Sequence, residues 1–215
     1  MREHFQQELE VVNQDLVRMV VLVEENAKKA QKALIKQDSA LARQVIEADE
    51  KVNAMELEIT DKCTLILARE QPVASDLRHI VACLKVVSDI ERIGDYVVHA
   101  AKRAKELSDE KYIKPLIDIP KMLDLGSKML RDAVDALIHS DEVKARETAK
   151  LDSEMDHLNK QIYRELLALM LEDSDNIKQA TKLLFLSRFL ERMGDHAVTI
   201  CSWAIYSSIG SHAEL

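Results

Sequence analysis

The pentapeptide Glu91-Arg92-Ile93-Gly94-Asp95 returns 100 residues later as Glu191-Arg192-Met193-Gly194-Asp195. On a helix, acids at i and i+4 project from nearly the same face, so each copy offers two carboxylates as a pair. Such pairs are hard oxygen ligands. With no thiolate beside them, they suit magnesium, manganese, iron or calcium better than tetrahedral structural zinc. A mid-helix glycine costs about 1 kcal/mol relative to alanine, so Gly94 and Gly194 predict that something approaches the backbone closely there.

Partners for these acids lie on the preceding helices, at Asp49 and Asn53 in one half and Asp152 and Asp156 in the other. Neighbouring antiparallel helices bring residues to equal height when these are equidistant from the connecting turn. Asp49 with Asp95, and Asn53 with Glu91, are equidistant from residue 72; Asp152 with Asp195, and Asp156 with Glu191, are equidistant from the point between 173 and 174. Glu91 and Glu191 also fall in the heptad series Leu77, Leu84, Glu91, Val98 and Ile177, Leu184, Glu191, Val198, which predicts a seam position facing the next helix. One isolated E-x-x-x-D in a Glu-rich helix would read as a solvated face. Duplication, seam position and equal-height partners argue instead for two carboxylate clusters, whose mutual repulsion and burial a multivalent cation relieves.

Other polar residues are weaker candidates. His99 extends the Glu91/Asp95 series by four residues, but Thr199 stands at its counterpart. His157 and His196 adjoin acids without a match in the first half, and read as outer or surface groups. Asp76-Leu77-Arg78 reads as a cap on the third helix.

The elements that must hold these residues are legible from punctuation. Only four Gly, three Pro and 4% aromatic residues occur in 215, a composition of long helices. Cap residues and prolines divide the chain into helical stretches at about 3–36, 39–70, 75–107, 120–138, 141–171 and 175–208. The repeat extends beyond the pentapeptides: Asp49, Val52, Met55 and Ile59 match Asp152, Met155, Leu158 and Ile162 at an offset of 103. The expected fold is all-α, two tandem three-helix bundles of six long antiparallel helices. The first repeat spans 1–110 and the second 111–215, with the proline-bearing stretch Ser108 to Pro120 as linker.

A net charge of −8 without a basic run argues against a nucleic-acid partner. Cys63, Cys83 and Cys201 lack paired spacing and read as reduced core thiols. With no signal-like start and no apolar run long enough to span a bilayer, the chain is expected in the cytoplasm, touching membranes only through partners.

The two E-R-hydrophobic-G-D copies, the turn Gln71-Pro72-Val73-Ala74-Ser75-Asp76-Leu77-Arg78 and the segment Val45-Ile46-Glu47-Ala48-Asp49 together resemble the PhoU family, the phosphate-specific transport system accessory proteins. The resemblance covers essentially the whole chain. It implies tandem three-helix bundles and, as in some members, multinuclear metal clusters held by paired acidic motifs, here Asp49 and Glu91/Asp95, and Asp152/Asp156 and Glu191/Asp195. Asn53 departs from that pattern, standing where the family usually has a second acid, which implies a looser or smaller first cluster. The resemblance further implies a regulator that restrains phosphate uptake and starvation signalling by contacting the phosphate ABC transporter and the phosphate-sensing histidine kinase; a homodimer is expected, and two bundles joined by a linker suggest one docking surface for each partner. Two rival readings are a water- or oxygen-activating helical-bundle metalloenzyme and a metal-free structural adaptor.

Overall fold

The computed structural model describes residues 2–211, and these are helical apart from short connections. The helices are α1 (Arg2–Lys36), α2 (Ser39–Glu70), α3 (Ala74–Glu106), α4 (Asp118–His139), α5 (Glu142–Lys150), α6 (Asp152–Glu172) and α7 (Ile177–Ile209), with a 3₁₀ turn at Ser174–Asn176 before α7. Five of the six expected stretches are single helices. The fifth is divided at Leu151, where Leu151 N–H reaches the Thr148 carbonyl and Glu154 N–H reaches the Leu151 carbonyl. These i→i+3 bonds tighten the rod by a 3₁₀ step, immediately before Asp152.

Capping explains the boundaries. Asp38 accepts from the Ala40 and Leu41 amides to start α2, and Asp141 accepts from Lys144 N–H to start α5. The third helix differs from expectation: its cap position is Val73, which makes no side-chain cap bond, and Asp76 sits inside the first turn, where its charge complements the helix dipole. With so few glycines, turns use left-handed Gln37, Gln71, Ala74 and Ser140. Gln37 is compensated through its side chain, which donates to the carbonyls of Leu107 and Glu110.

Helices α1 to α3 form one antiparallel unit, and α4 to α7 the other. They are joined by α3 against α7 and α1 against α4. Contacts between His79 and Ser207, Asp89 and His196, and His99 and Phe189 descend α7 as they climb α3, so these two helices are antiparallel and the repeats face each other around a local two-fold near Gly94 and Gly194. One apolar core runs through both units, including Leu16, Met19, Ile59, Ile90, Ile93, Met122, Leu130, Leu186 and Met193. Each such buried side chain contributes about 1.5–3 kcal/mol. The three cysteines are buried free thiols, and burial pushes those of Cys63 and Cys201 up to about 12.

The connection between α3 and α4, residues 107–117, is tied to both repeats. Tyr112 donates to the Leu34 carbonyl and Gln37 holds its start. From α7, buried Gln179 donates to the Lys111 carbonyl and accepts from Ile113 N–H.

Candidate metal centres

The buried stripe of α3 runs through Ile80, Cys83, Val87, Ile90, Gly94, Val97, Ala101 and Ala104, whereas Leu77 is exposed. The expected heptad seam is therefore the edge of the stripe, because a strict seven-residue repeat drifts by about 20° per heptad on a straight helix. Glu91 and Asp95 lie on that edge with 20% and 36% of their side-chain surface exposed. The same holds in α7: Ile177 is exposed and Glu191 retains 12% exposure. The acids thus line grooves at the α2/α3 and α6/α7 surfaces, half-buried and open to water.

The predicted register holds. Ser88 donates to Glu56 across α2 and α3 at 3.0 Å, and these residues are equidistant from residue 72. In the second repeat, a Cβ built on Gly194 would collide with Asp152 Oδ1 and approach Met155 Cγ to 3.2 Å. Gly194 therefore makes room for a carboxylate. Gly94 does not: its added Cβ would meet Val52 at 3.3 Å and Val23 at 3.6 Å, and no acid.

Electrostatics separates the repeats in the same way. Burial, then Asp195, Asp156 and Glu191, push Asp152 up to about 6, so all four predicted acids of the second cluster share one field. Asp152 Oδ1 is also buried without a hydrogen-bond partner. A buried, orphaned carboxylate oxygen that feels the charge of three further carboxylates is a donor that a hard cation can satisfy. In the first repeat, burial and then Asp95 raise Asp49, while Lys102 lowers it. Glu91 is raised by burial and by Asp95, Glu56 and Asp49, against Arg92. Asn53 is exposed.

Several of these side chains are engaged by surface cations: Arg92 with Asp95, Arg188 with Glu191, and Lys160 with Asp156. Accordingly, no three of the predicted carboxylates bring ligand atoms within 4.8 Å of one another; among the described residues His4, Glu8 and Glu70 do so, at the base of α1 and the end of α2. Exposed ion pairs are worth about 0–1 kcal/mol, so a cation can recruit the acids by displacing them. The residues present fit a hard metal ion, the second cluster more fully than the first.

Between the clusters, on the α3/α7 seam, His99 stacks on Phe189 at 4.3 Å and Tyr96 lies against Phe189 and His196. His196 Nδ1 is 2.8 Å from Asp89 Oδ1. His99 and His196 thus join the repeats, and His157 is exposed. Sequence reasoning passed over Glu56 because it sought residues present in both repeats, and the counterpart of Glu56 is Asn159.

An internally duplicated all-helical protein with paired acidic edges on both outer hairpins is a two-repeat helical bundle, and no helix among the described residues is long and apolar enough to cross a membrane. The chain belongs to the PhoU family: the PhoU domain profile matches residues 16–104 and again 119–204. It is 36% identical over 215 residues to a phosphate-specific transport system accessory protein PhoU homolog of Clostridium acetobutylicum, covering 100% of this chain and 98% of the relative. With a Pseudomonas putida homolog of the same name it shares 41% identity over 205 residues, 95% of this chain and 80% of the relative. The crystal structure of PhoU from Pseudomonas aeruginosa superposes with a TM-score of 0.91 at 39% identity, covering 96% of this chain and all of that one. That of the phosphate transport system regulatory protein PhoU from Streptococcus pneumoniae gives 0.89 at 29% identity, covering 98% and 100%.

Proposed function

We propose that this chain is a cytoplasmic, metal-binding regulator of phosphate homeostasis, restraining uptake by the phosphate-specific ABC transporter and starvation signalling through the phosphate-sensing histidine kinase. What carries the reading is end-to-end similarity to proteins named as accessory to phosphate-specific transport. It acts by docking, as a homodimer, on these two partners, without nucleic acid and without entering the membrane itself. The acidic grooves hold iron, manganese or magnesium through Asp152, Asp156, Glu191 and Asp195 in one repeat and Asp49, Asn53, Glu91 and Asp95 in the other. The bound ion supplies positive charge that offsets carboxylate repulsion. Asp152, seated over Gly194, fixes the depth of the site, and the acids of α7 clamp α6 from the facing helix. A hairpin held in this way loses less entropy on docking.

The test is a phosphate-starvation reporter in a deletion strain grown in high phosphate. Deletion should switch the reporter on, the full chain should silence it, and the Glu191→Ala/Asp195→Ala chain should silence it poorly while its metal content falls. A reporter that stays silent on deletion refutes the regulatory reading; unchanged metal content in the double variant refutes the ligand assignment.

A further inference from the structure

At the open end of the first hairpin, away from both acidic grooves, three side chains converge. His4 and Glu8 stand four residues apart on α1 and so share a face. Glu70, the last residue of α2, is as far from the left-handed Gln37 as His4 is, which puts the two level across the hairpin. His4 Nδ1 lies 3.4 Å from Glu70 Oε1 and 3.7 Å from Glu8 Oε2, and one ligand atom from each of the three lies within 4.8 Å of the others. These spacings are long for hydrogen bonds. They suit a shared ion, because ligands at about 2.0–2.1 Å around a tetrahedral centre are about 3.3 Å apart.

Two further observations call for a cation here. Glu8 Oε2, the oxygen nearest His4, is buried without a hydrogen-bond partner, and an orphaned carboxylate oxygen is costly unless something occupies its lone pairs. Glu70 keeps only 15% of its side chain exposed and sits in the last turn of α2, whose carbonyl end repels a carboxylate. Among the described residues neither acid pairs with a lysine or arginine; each has His4 within ion-pair reach. Lys62 and Arg69 line the groove beside Glu8, but Lys62 is committed to Asp15.

We propose that His4, Glu8 and Glu70 form a divalent transition-metal site. One imidazole nitrogen and two carboxylates are a borderline donor set that suits zinc, with water completing the shell on the exposed side of His4. The site differs in kind from the all-oxygen grooves and is separate from them: Glu70 lies about 25 Å along α2 from Asn53. A bound ion staples the first turns of α1 to the end of α2, so the chain's first helix is ordered by metal. None of this depends on whether the grooves hold metal.

The experiment follows amide hydrogen exchange in the tag-free full chain across a Zn²⁺ titration, at about pH 8, where protons do not compete for imidazole. Zn²⁺ should slow exchange over the first two turns of α1 and the last turn of α2. Losing a group that merely orients a ligand already weakens binding about 10–100-fold, so His4→Ala, Glu8→Gln and Glu70→Gln should each raise the Zn²⁺ concentration for half-protection by about tenfold or more. Glu10→Gln alters an exposed acid of the same helix that is bonded to Gln14, and it should match wild type, as should the Glu191→Ala/Asp195→Ala chain. Circular dichroism should show every variant folded. Because the readout is local, a zinc response that survives in the Glu191→Ala/Asp195→Ala chain supports this site whatever becomes of the groove assignment. Protection that ignores Zn²⁺ and grows on acidification would mean that a protonated His4 bridges the acids without metal, and would overturn the proposal. So would an unchanged zinc response in the three ligand variants, or an equal loss in Glu10→Gln.

Discussion

Replacing Gly194 with alanine separates stability from metal binding. The new methyl would occupy the place of Asp152 Oδ1 and press on Met155 Cγ at 3.2 Å. Removing a mid-helix glycine gains about 1 kcal/mol, and overpacking costs about 1–3 kcal/mol, at the low end here because Met155 is flexible. Asp152 relieves the collision by turning toward water, where its orphaned oxygen finds partners. Without metal, stability should therefore stay within about 1 kcal/mol of wild type. Metal binding should not survive intact, because the seat of one ligand is lost. A tenfold loss of affinity removes about 1.4 kcal/mol of metal-linked stabilisation, or about 3–6 °C in Tm for a chain of this size. Gly94→Ala is the control: its methyl meets Val52 at 3.3 Å and no carboxylate, so its metal-linked shift should be unchanged. Thermal melts of both variants with and without Mn²⁺ check this. Equal loss in the two variants, or full retention in Gly194→Ala, would refute the reasoning.

Burial holds the pKa of His79 below its ordinary value, against the raising effect of Asp76; since the folded state prefers the neutral ring, its stabilising contribution is complete above the unfolded value near 6.5 and fades as pH falls through the lower folded value. The Tm of wild type should therefore drop more steeply than that of His79→Gln between pH 7.5 and 5, and parallel curves would exclude His79 as the source. Gln179→Ala leaves the Ile113 amide and Lys111 carbonyl without their partner and should cost about 1–3 kcal/mol in urea unfolding, with faster proteolysis between 108 and 120. Because one core spans both repeats, residues 1–110 and 111–215 should form a native-like complex when co-expressed, whereas either alone should lose near-ultraviolet dichroism; two independently cooperative halves would contradict that packing.

Much of this was readable in the chain. Helix ends followed from Asp38, Asp141 and the prolines, because capping is local chemistry, and distance to the turn put Asp152 level with Asp195, one residue from the Gly194 on which it is seated. The break at Leu151 was hidden, since its apolar spacing continues through a 3₁₀ step. The edge position of Glu91 and Glu191 escaped a heptad argument because seven residues do not close two turns of a straight helix. Pro115 lies in the connection between α3 and α4 and Pro120 in the first turn of α4, yet nothing local announced that Gln37 and Gln179, far away in sequence, would fasten that connection. The antiparallel meeting of α3 with α7 was equally unreadable, since hydrophobic spacing says that a face is buried and not what buries it.

The local two-fold near Gly94 and Gly194 has an evolutionary consequence. A symmetric dimer of half-length chains would carry every substitution twice, so its two sites could change only in step. Joining the halves in one chain frees each groove to drift alone, as the exchange of acid and amide between 53/56 and 156/159 records. On the metal-binding reading proposed above, two grooves free to diverge can come to answer different ion concentrations, a range that a symmetric pair cannot cover.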